Sequence, residues 1–232
     1  MDYIFKPCDI YRLKLHPDKC KLFTTEVKFC GKIFTPKGIF QDPKKIKTLT
    51  NMPLPKNAGE LQQYLCAMNW MRSSIPDFAR ISKPLRKKLE LVAKGTTRKS
   101  KHLIKIPISM SEEDENHFRK LNDCVANTVM LSHPDQQAEY FLFTDASNEG
   151  WGSALFQIKE YDENQDIDKQ KLEPLYFLSG SFEDAKHRWS LPEKEAYAIV
   201  ESVQRLDYLL IRVKPFHIMT CLLYTSPSPR DS

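Results

Sequence analysis

Apolar positions follow a helical spacing through the first half of the chain and alternate like strands after about residue 139. Residues 11–21 (YRLKLHPDKCK) read as the end of a helix running into a turn, and residues 27–33 as a short strand. Gly31 and Pro36-Lys37-Gly38 punctuate a hairpin, with residues 35–40 as its returning arm. Asp42-Pro43 is a helix start, a capping carboxylate ahead of a proline tolerated at the first helical position, and this helix is expected to end near Met52-Pro53. Asn57 and Glu60 have the spacing of a capping box ahead of Leu61, Tyr64, Leu65 and Met68, which recur on one helical face. Pro76 is expected to stop that helix, and another over residues 83–93 ends at Gly95. The helical spacing of Tyr64 and Trp70 predicts core packing for both rather than base stacking.

Residues 94–105 are basic and lack periodicity, which predicts a linker. Residues 112–128 form an amphipathic helix, acidic in its first turn, with Phe118, Leu121 and Val125 on one face. Strands are then predicted at 140–144, 151–159 and 175–178, followed by one long helix over 190–210 and a fourth strand over 215–220.

The length of 232 residues suits one or two domains, and two is the better reading. Apolar residues make up 41% of the chain, and no run approaches the roughly 20 that a membrane span requires, so no membrane partner is expected. The N-terminus lacks the basic, apolar and small-residue succession of a secretion signal. Cys8, Cys20, Cys30, Cys66, Cys124 and Cys221 are scattered, without C-x-x-C pairs or a nearby His at zinc spacing, and are read as reduced thiols. The net charge of +5 conceals a division. Residues 1–110 hold 23 Lys and Arg against 8 Asp and Glu, whereas the remainder holds 12 against 22. A basic half beside an acidic one suggests a polyanion-binding surface joined to a domain that gathers carboxylates around a metal. A solvated lysine-rich surface is the plainer alternative.

Asp145 closes the first of the predicted strands, either as a functional carboxylate or as a turn cap ahead of Ser147 and Asn148. In that context FTDASNEGWGSALFQ (143–157) and LPEKEAYAIVESVQRLDYLL (191–210) resemble the opening strands and the carboxylate-bearing helix of retroelement ribonuclease H domains. Upstream, LKLHPDKC, FCGKIFTPKGI, DPKKIKTL, PLPKNAGELQQYL and IPDFARISKPL resemble the thumb and connection of gypsy-type LTR retrotransposon reverse transcriptases, in family order from about residue 11 to 220. The expected fold class is α/β (α+β), a small helical thumb and connection with a β-hairpin followed by an incomplete ribonuclease H-like mixed sheet with its helix. The expected divisions are 1–93 (end of palm and thumb), 94–135 (connection), 136–220 (ribonuclease H-like) and 221–232, a tail that fits no family element and reads as foreign sequence.

The resemblance implies four carboxylates around two Mg²⁺ ions that drive hydrolysis of RNA in RNA:DNA hybrids. Asp145 fits the first position. Glu193 and Glu195 both offer the second, and about 200° of helical rotation separates them. Ser190, Pro192 and Glu193 form a capping box, whereas Glu195 lies on the stripe of Ile199, Val203, Leu206 and Leu210, so Glu195 is assigned the metal with Asp145. Where the family reads T-D-H, this chain has Thr220-Cys221, and a thiol is a poor ligand for a hard ion. This is read as truncation, with the last helix and the last two carboxylates missing and exposed apolar surface left behind. The Y-x-D-D of the polymerase palm is absent, which excludes DNA synthesis by this polypeptide alone.

The resemblance further makes the hairpin over residues 28–34 a primer grip and the helices after Asp42 a thumb. Lys28 and Lys32 of the hairpin belong with Lys44, Lys45, Lys47, Lys56, Lys83, Arg86, Lys87 and Lys88 as candidate phosphate contacts, each equally readable as a solvated surface cation. The implied partners are RNA:DNA hybrid, primer-template duplex and the rest of the pol polyprotein. The implied location is intracellular, in a cytoplasmic particle or the nucleus. The chain itself is expected to be inactive or nearly so. The alternatives are a non-catalytic nucleic-acid-binding module and a non-functional copy.

Overall fold

In a computed structural model, residues 2–21, 23–95 and 100–220 are described. After α1 (Asp2–Ile10), the strand expected over 27–33 is in fact two: β1 (Val27–Phe29) and β2 (Lys32–Thr35), with β3 (Gly38–Gln41) completing an antiparallel meander. Cys30 and Gly31 have φ of 49° and 74°. Two successive left-handed residues make a two-residue turn whose twist matches the strands it joins, so Phe29 pairs directly with Lys32. Asp42 caps α2 (Pro43–Thr50) as expected, accepting the Lys44 N–H at 3.0 Å.

Three helices enclose the first core: α3 (Ala58–Asn69), α4 (Phe78–Val92) and α6 (Glu112–Ala126). Tyr64 is buried, stacks on Phe118 with ring centroids 4.3 Å apart, and donates its hydroxyl to Asn122 Oδ1 at 2.9 Å. Leu61, Met68, Leu85, Leu121 and Val125 close around it with no exposed surface, each contributing roughly 1.5–3 kcal/mol by burial. Asn57 caps α3 by accepting the Glu60 N–H at 2.9 Å, but Glu60 accepts the Lys56 N–H rather than that of Asn57, so the expected reciprocal box is offset by one residue.

Several boundaries differ from expectation. Helix α3 ends at Asn69, and a 3₁₀ turn over Arg72–Ser74 fills the space before Pro76. Helix α4 begins five residues ahead of Lys83 and carries Pro84 within it. The supposed linker contains α5 (Ser100–Leu103), whose Leu103 is fully buried against Ala58 and Ala93. The following Ile106 carbonyl accepts the Ala58 N–H at 2.9 Å. Trp70 is 51% exposed, against the expectation of core packing, because it follows the last turn of α3 and points away from the core that Tyr64 occupies.

The second core lies under a mixed sheet of order β6-β5-β4-β7, built from β4 (Glu139–Ala146), β5 (Gly150–Ile158), β6 (Glu173–Ser181) and β7 (Phe216–Thr220). β4 pairs antiparallel with β5 and parallel with β7, in register from Tyr140 opposite Phe216 to Thr144 opposite Thr220. The expected long helix is divided into α7 (Leu191–Arg205) and α8 (Asp207–Leu210), with Leu206 at φ −108° breaking the run. Leu206 is buried, as are Tyr140, Leu142, Leu155 and Ala198, so the break turns the chain without leaving the sheet. On the other face of the sheet Phe143, Phe156 and Phe177 meet edge to face, while Met219 remains 38% exposed. Helix α4 joins the two cores, the Ala79 N–H donating to Ser179 Oγ at 2.9 Å.

No helix among the described residues is long and apolar enough to cross a membrane, and Cys8, Cys20, Cys30, Cys66 and Cys124 are free thiols. Cys221 and the tail beyond it lie outside the described residues.

Two stability outcomes follow from these contacts. Asn57→Ala is expected to lower unfolding stability by about 1 kcal/mol in urea titrations, through loss of the α3 cap. Burial tends to raise the Asp114 carboxyl, but the ion pair with Lys88 and bonds from the Ser111 N–H and hydroxyl hold it below the usual carboxylate range. A depressed folded pKa stabilises the fold above the unfolded value of about 4 and loses that contribution as pH falls through the folded one. Asp114→Asn is therefore expected to flatten the acid limb of stability against pH below about 4, seen in thermal melts.

Candidate active site

Near the end of β4 and at the start of α7 the chain brings two carboxylates together. Asp145 is exposed at the penultimate position of β4. Glu193 completes the α7 capping box, accepting the Ser190 N–H and hydroxyl, each at 2.7 Å, and those two bonds hold its carboxyl low. Two residues further along, Glu195 turns inward and is only 4% exposed. Its Oε1 accepts the Ala146 N–H at 3.1 Å, and its Oε2 is buried without a hydrogen-bond partner. Burial raises the Glu195 carboxyl pKa, the Ala146 N–H opposes that, the Asp145 carboxylate raises it again, and the Thr220 hydroxyl lowers it. A buried carboxylate with an unpartnered oxygen calls for a proton or a cation beside it.

Helix and sheet are fixed to each other close by. Ser202 Oγ donates to Ser153 Oγ at 2.7 Å between buried positions, and the turn after Asp145 closes through the Ser147 N–H to the Gly150 carbonyl at 2.8 Å. Asp145 and Thr220 line a cleft of about 980 Å³. Phe143 and Phe177 form its apolar side, and Arg80 and Lys83 of α4 form its basic wall. The oxygen donors suit a hard divalent ion in kind, although among the described residues no group of three or more potential ligands is assembled. In β7 the parallel register ends at Thr220, opposite Thr144, one residue short of Asp145.

The candidate phosphate contacts differ in their exposure and partners. Lys44, Lys45 and Lys47 are exposed on α2, with the Lys45 ammonium 5.1 Å from the Trp70 ring centroid. Lys56 and Lys87 are exposed. Lys28 pairs with Asp42 at 3.7 Å, while burial lowers the pKa of the half-buried Lys32. Lys83 pairs with Glu149, and Lys88 pairs with Asp114 and donates to the Ser109 carbonyl at 2.6 Å, so neither ammonium is left to solvent alone. The Arg86 guanidinium lies 5.7 Å from the Phe78 ring centroid, and burial, then the neighbouring Arg72, lower its pKa. Trp189 packs against Tyr197 of α7 at 5.5 Å, a packing role that its position before the helix did not reveal. Sequence reasoning also passed over Lys194, which is 2% exposed beside Glu195. Its only signal was a lysine on the inward stripe of an amphipathic helix.

A raised carboxyl pKa reverses the sign found for Asp114. The folded state holds the Glu195 proton more tightly than the unfolded one, so Glu195 costs stability as pH rises above the unfolded value of about 4.3. In chelator, Glu195→Gln is expected to unfold at a higher temperature than the parent chain at pH 7, with the gap closing toward pH 4. Thermal melts across that range check it, and an unchanged or lower melting temperature at pH 7 would contradict it.

Residues 110–218 match the family described as the RNase H-like domain found in reverse transcriptase. The chain is 29% identical over 219 residues to the retrovirus-related Pol polyprotein from transposon opus of Drosophila melanogaster, covering 94% of this chain and 20% of that protein. It is 31% identical over 196 residues to the corresponding polyprotein from transposon 412 of the same organism, covering 84% of this chain and 14% of that one. The chain thus spans a fifth or less of the length of these relatives. A solved structure of the foamy viral protease-reverse transcriptase in complex with RNA/DNA hybrid aligns over 90% of this chain and 25% of its own, with a TM-score of 0.68 at 18% identity. Residues 110–218 therefore belong to the RNase H-like domain found in reverse transcriptase, and the chain is a relative of the Pol polyproteins of gypsy and other LTR retrotransposons.

Proposed function

We propose that this chain is part of a reverse transcriptase and ribonuclease H unit that acts on RNA:DNA hybrids, with Asp145 and Glu195 holding a divalent cation, Mg²⁺ by the hardness of their oxygens. One observation carries the reading: a carboxylate kept out of water on the inner face of α7, with one oxygen bonded to the backbone of Ala146 and the other unpartnered, beside a second carboxylate. When bound, such an ion supplies positive charge that activates a water and stabilises a leaving 3′-oxygen. The chain's own part is to orient. The Ala146 N–H fixes the Glu195 carboxylate, and Asp145 stays accessible at the strand end where it lines the cleft.

The exposed lysines of α2 with Lys56 and Lys87 would hold the polyanion by charge, independent of sequence. With two acidic groups rather than four among the described residues, hybrid binding without appreciable cleavage is the second reading. Cleavage of a labelled RNA:DNA hybrid in Mg²⁺ and in Mn²⁺, comparing the chain with Glu195→Gln and Cys221→Asp, separates the two. The expected outcome is little or no cleavage by the parent chain and a measurable gain with Cys221→Asp that Glu195→Gln abolishes. Cleavage that survives Glu195→Gln would refute the assignment. Salt-sensitive hybrid binding with no cleavage by any variant would favour the binding module.

A further inference from the structure

Helix α7 buries a second ionisable side chain, Lys194, next to Glu195. Lysine stems usually carry the ammonium out to water. This one ends inside the protein, its Nζ 3.3 Å from Asn148 Oδ1, 3.4 Å from the Asn148 carbonyl oxygen and 5.6 Å from the Phe182 ring centroid. Among the described residues it makes no ion pair. An ammonium held only by neutral acceptors is costly to bury, and an apolar side chain of the same length would pack at lower cost. Packing therefore does not account for a lysine here.

Location does. Asn148 follows Asp145 by three residues, and Lys194 precedes Glu195 by one. Two consecutive residues of α7 thus grip the same segment: Glu195 takes the N–H of Ala146, and Lys194 reaches both oxygens of Asn148. On the other side of the turn, Lys83 of α4 pairs with Glu149, but that carboxylate is 63% exposed and the pair is correspondingly weak. The tether to α7 is the buried one.

We propose that Lys194 is a positioning residue for the Asp145 and Glu195 cation site, fixing the turn after β4 against α7 through Asn148 and so setting how Asp145 approaches Glu195. The inference rests on the reading of those two carboxylates as cation ligands. Groups that orient ligands typically change metal affinity roughly 10- to 100-fold when removed.

The test uses the full chain with Mn²⁺ as the probe. Affinity is measured by titration calorimetry, and amide hydrogen exchange is followed in peptides covering residues 146–150. Lys194→Met keeps an unbranched apolar stem and removes the amine, Lys194→Arg keeps the charge, and Asn148→Ala removes one acceptor from an exposed position. Expected are Mn²⁺ binding weakened about tenfold in Lys194→Met, a smaller loss in Asn148→Ala, and substantial recovery in Lys194→Arg. Exchange should quicken in the turn while β5 and the middle of α7 stay protected. Parent-like affinity and exchange in Lys194→Met would overturn the proposal. So would loosening spread evenly over the domain, which marks a merely structural lysine. Should Lys194→Met fail to fold, Asn148→Ala decides alone, and parent-like values there overturn it. Mn²⁺ affinity indifferent to Glu195→Gln would refute the cation reading instead, and the exchange of the turn would then rule on Lys194 by itself.

Discussion

An ionised carboxylate cannot be held away from water without compensation, and the sheet domain is arranged around that constraint at Glu195. The side chain sits where α7 crosses the end of β4, so the helix has to approach closely enough for the Ala146 N–H to reach it. That approach is secured further along by the buried bond between Ser202 and Ser153 and by the apolar contacts of Ala198 and Leu206. Packing of ordinary hydrophobic residues thereby determines the placement of an acid that packing alone would reject.

The division of charge along the chain has a different meaning in three dimensions from the one it suggests in sequence. Part of the basic half is spent inside the molecule: Lys83 and Lys88 face acids of the C-terminal half, Glu149 and Asp114. Among the described residues the lysines of α2 make no such ion pair, with Lys45 leaning instead over the exposed Trp70. A charge count therefore overstates the surface available to a polyanion, and α2 is where that surface is most open.

The directions of the two α7 carboxylates could be read from sequence because helix geometry is rigid: Glu193 and Glu195 differ by a rotation that sends one to the cap and the other inward, as found. The strands were legible because aromatic, aliphatic and β-branched residues gather in short runs bounded by turn residues, Tyr140 to Thr144 being the first. Elsewhere the governing contacts lay far away in sequence. Nothing local marks Cys30 as left-handed; the turn follows from pairing Phe29 with Lys32. Pro84 hides the first turn of α4, since proline normally signals a boundary, and Leu103 looked like linker until Ala58 and Ala93 surrounded it. Lys194 was passed over because a lysine is presumed solvated until its environment is known.

The parallel pairing of β4 with β7 also governs when Thr220 joins the acidic site. The two strands are separated by β5, β6 and α7, and until the last is made β4 presents one bare edge of amides and carbonyls. Parallel partners so distant in sequence meet late, after local hairpins have closed. During synthesis from the N-terminus, the β4–β5 hairpin and the helical core can assemble first, leaving the other edge of β4 open beside Asp145. A nascent chain still lacking β7 would carry Asp145 on β4 and Glu195 on α7 without the Thr220 hydroxyl that reaches the Glu195 carboxyl.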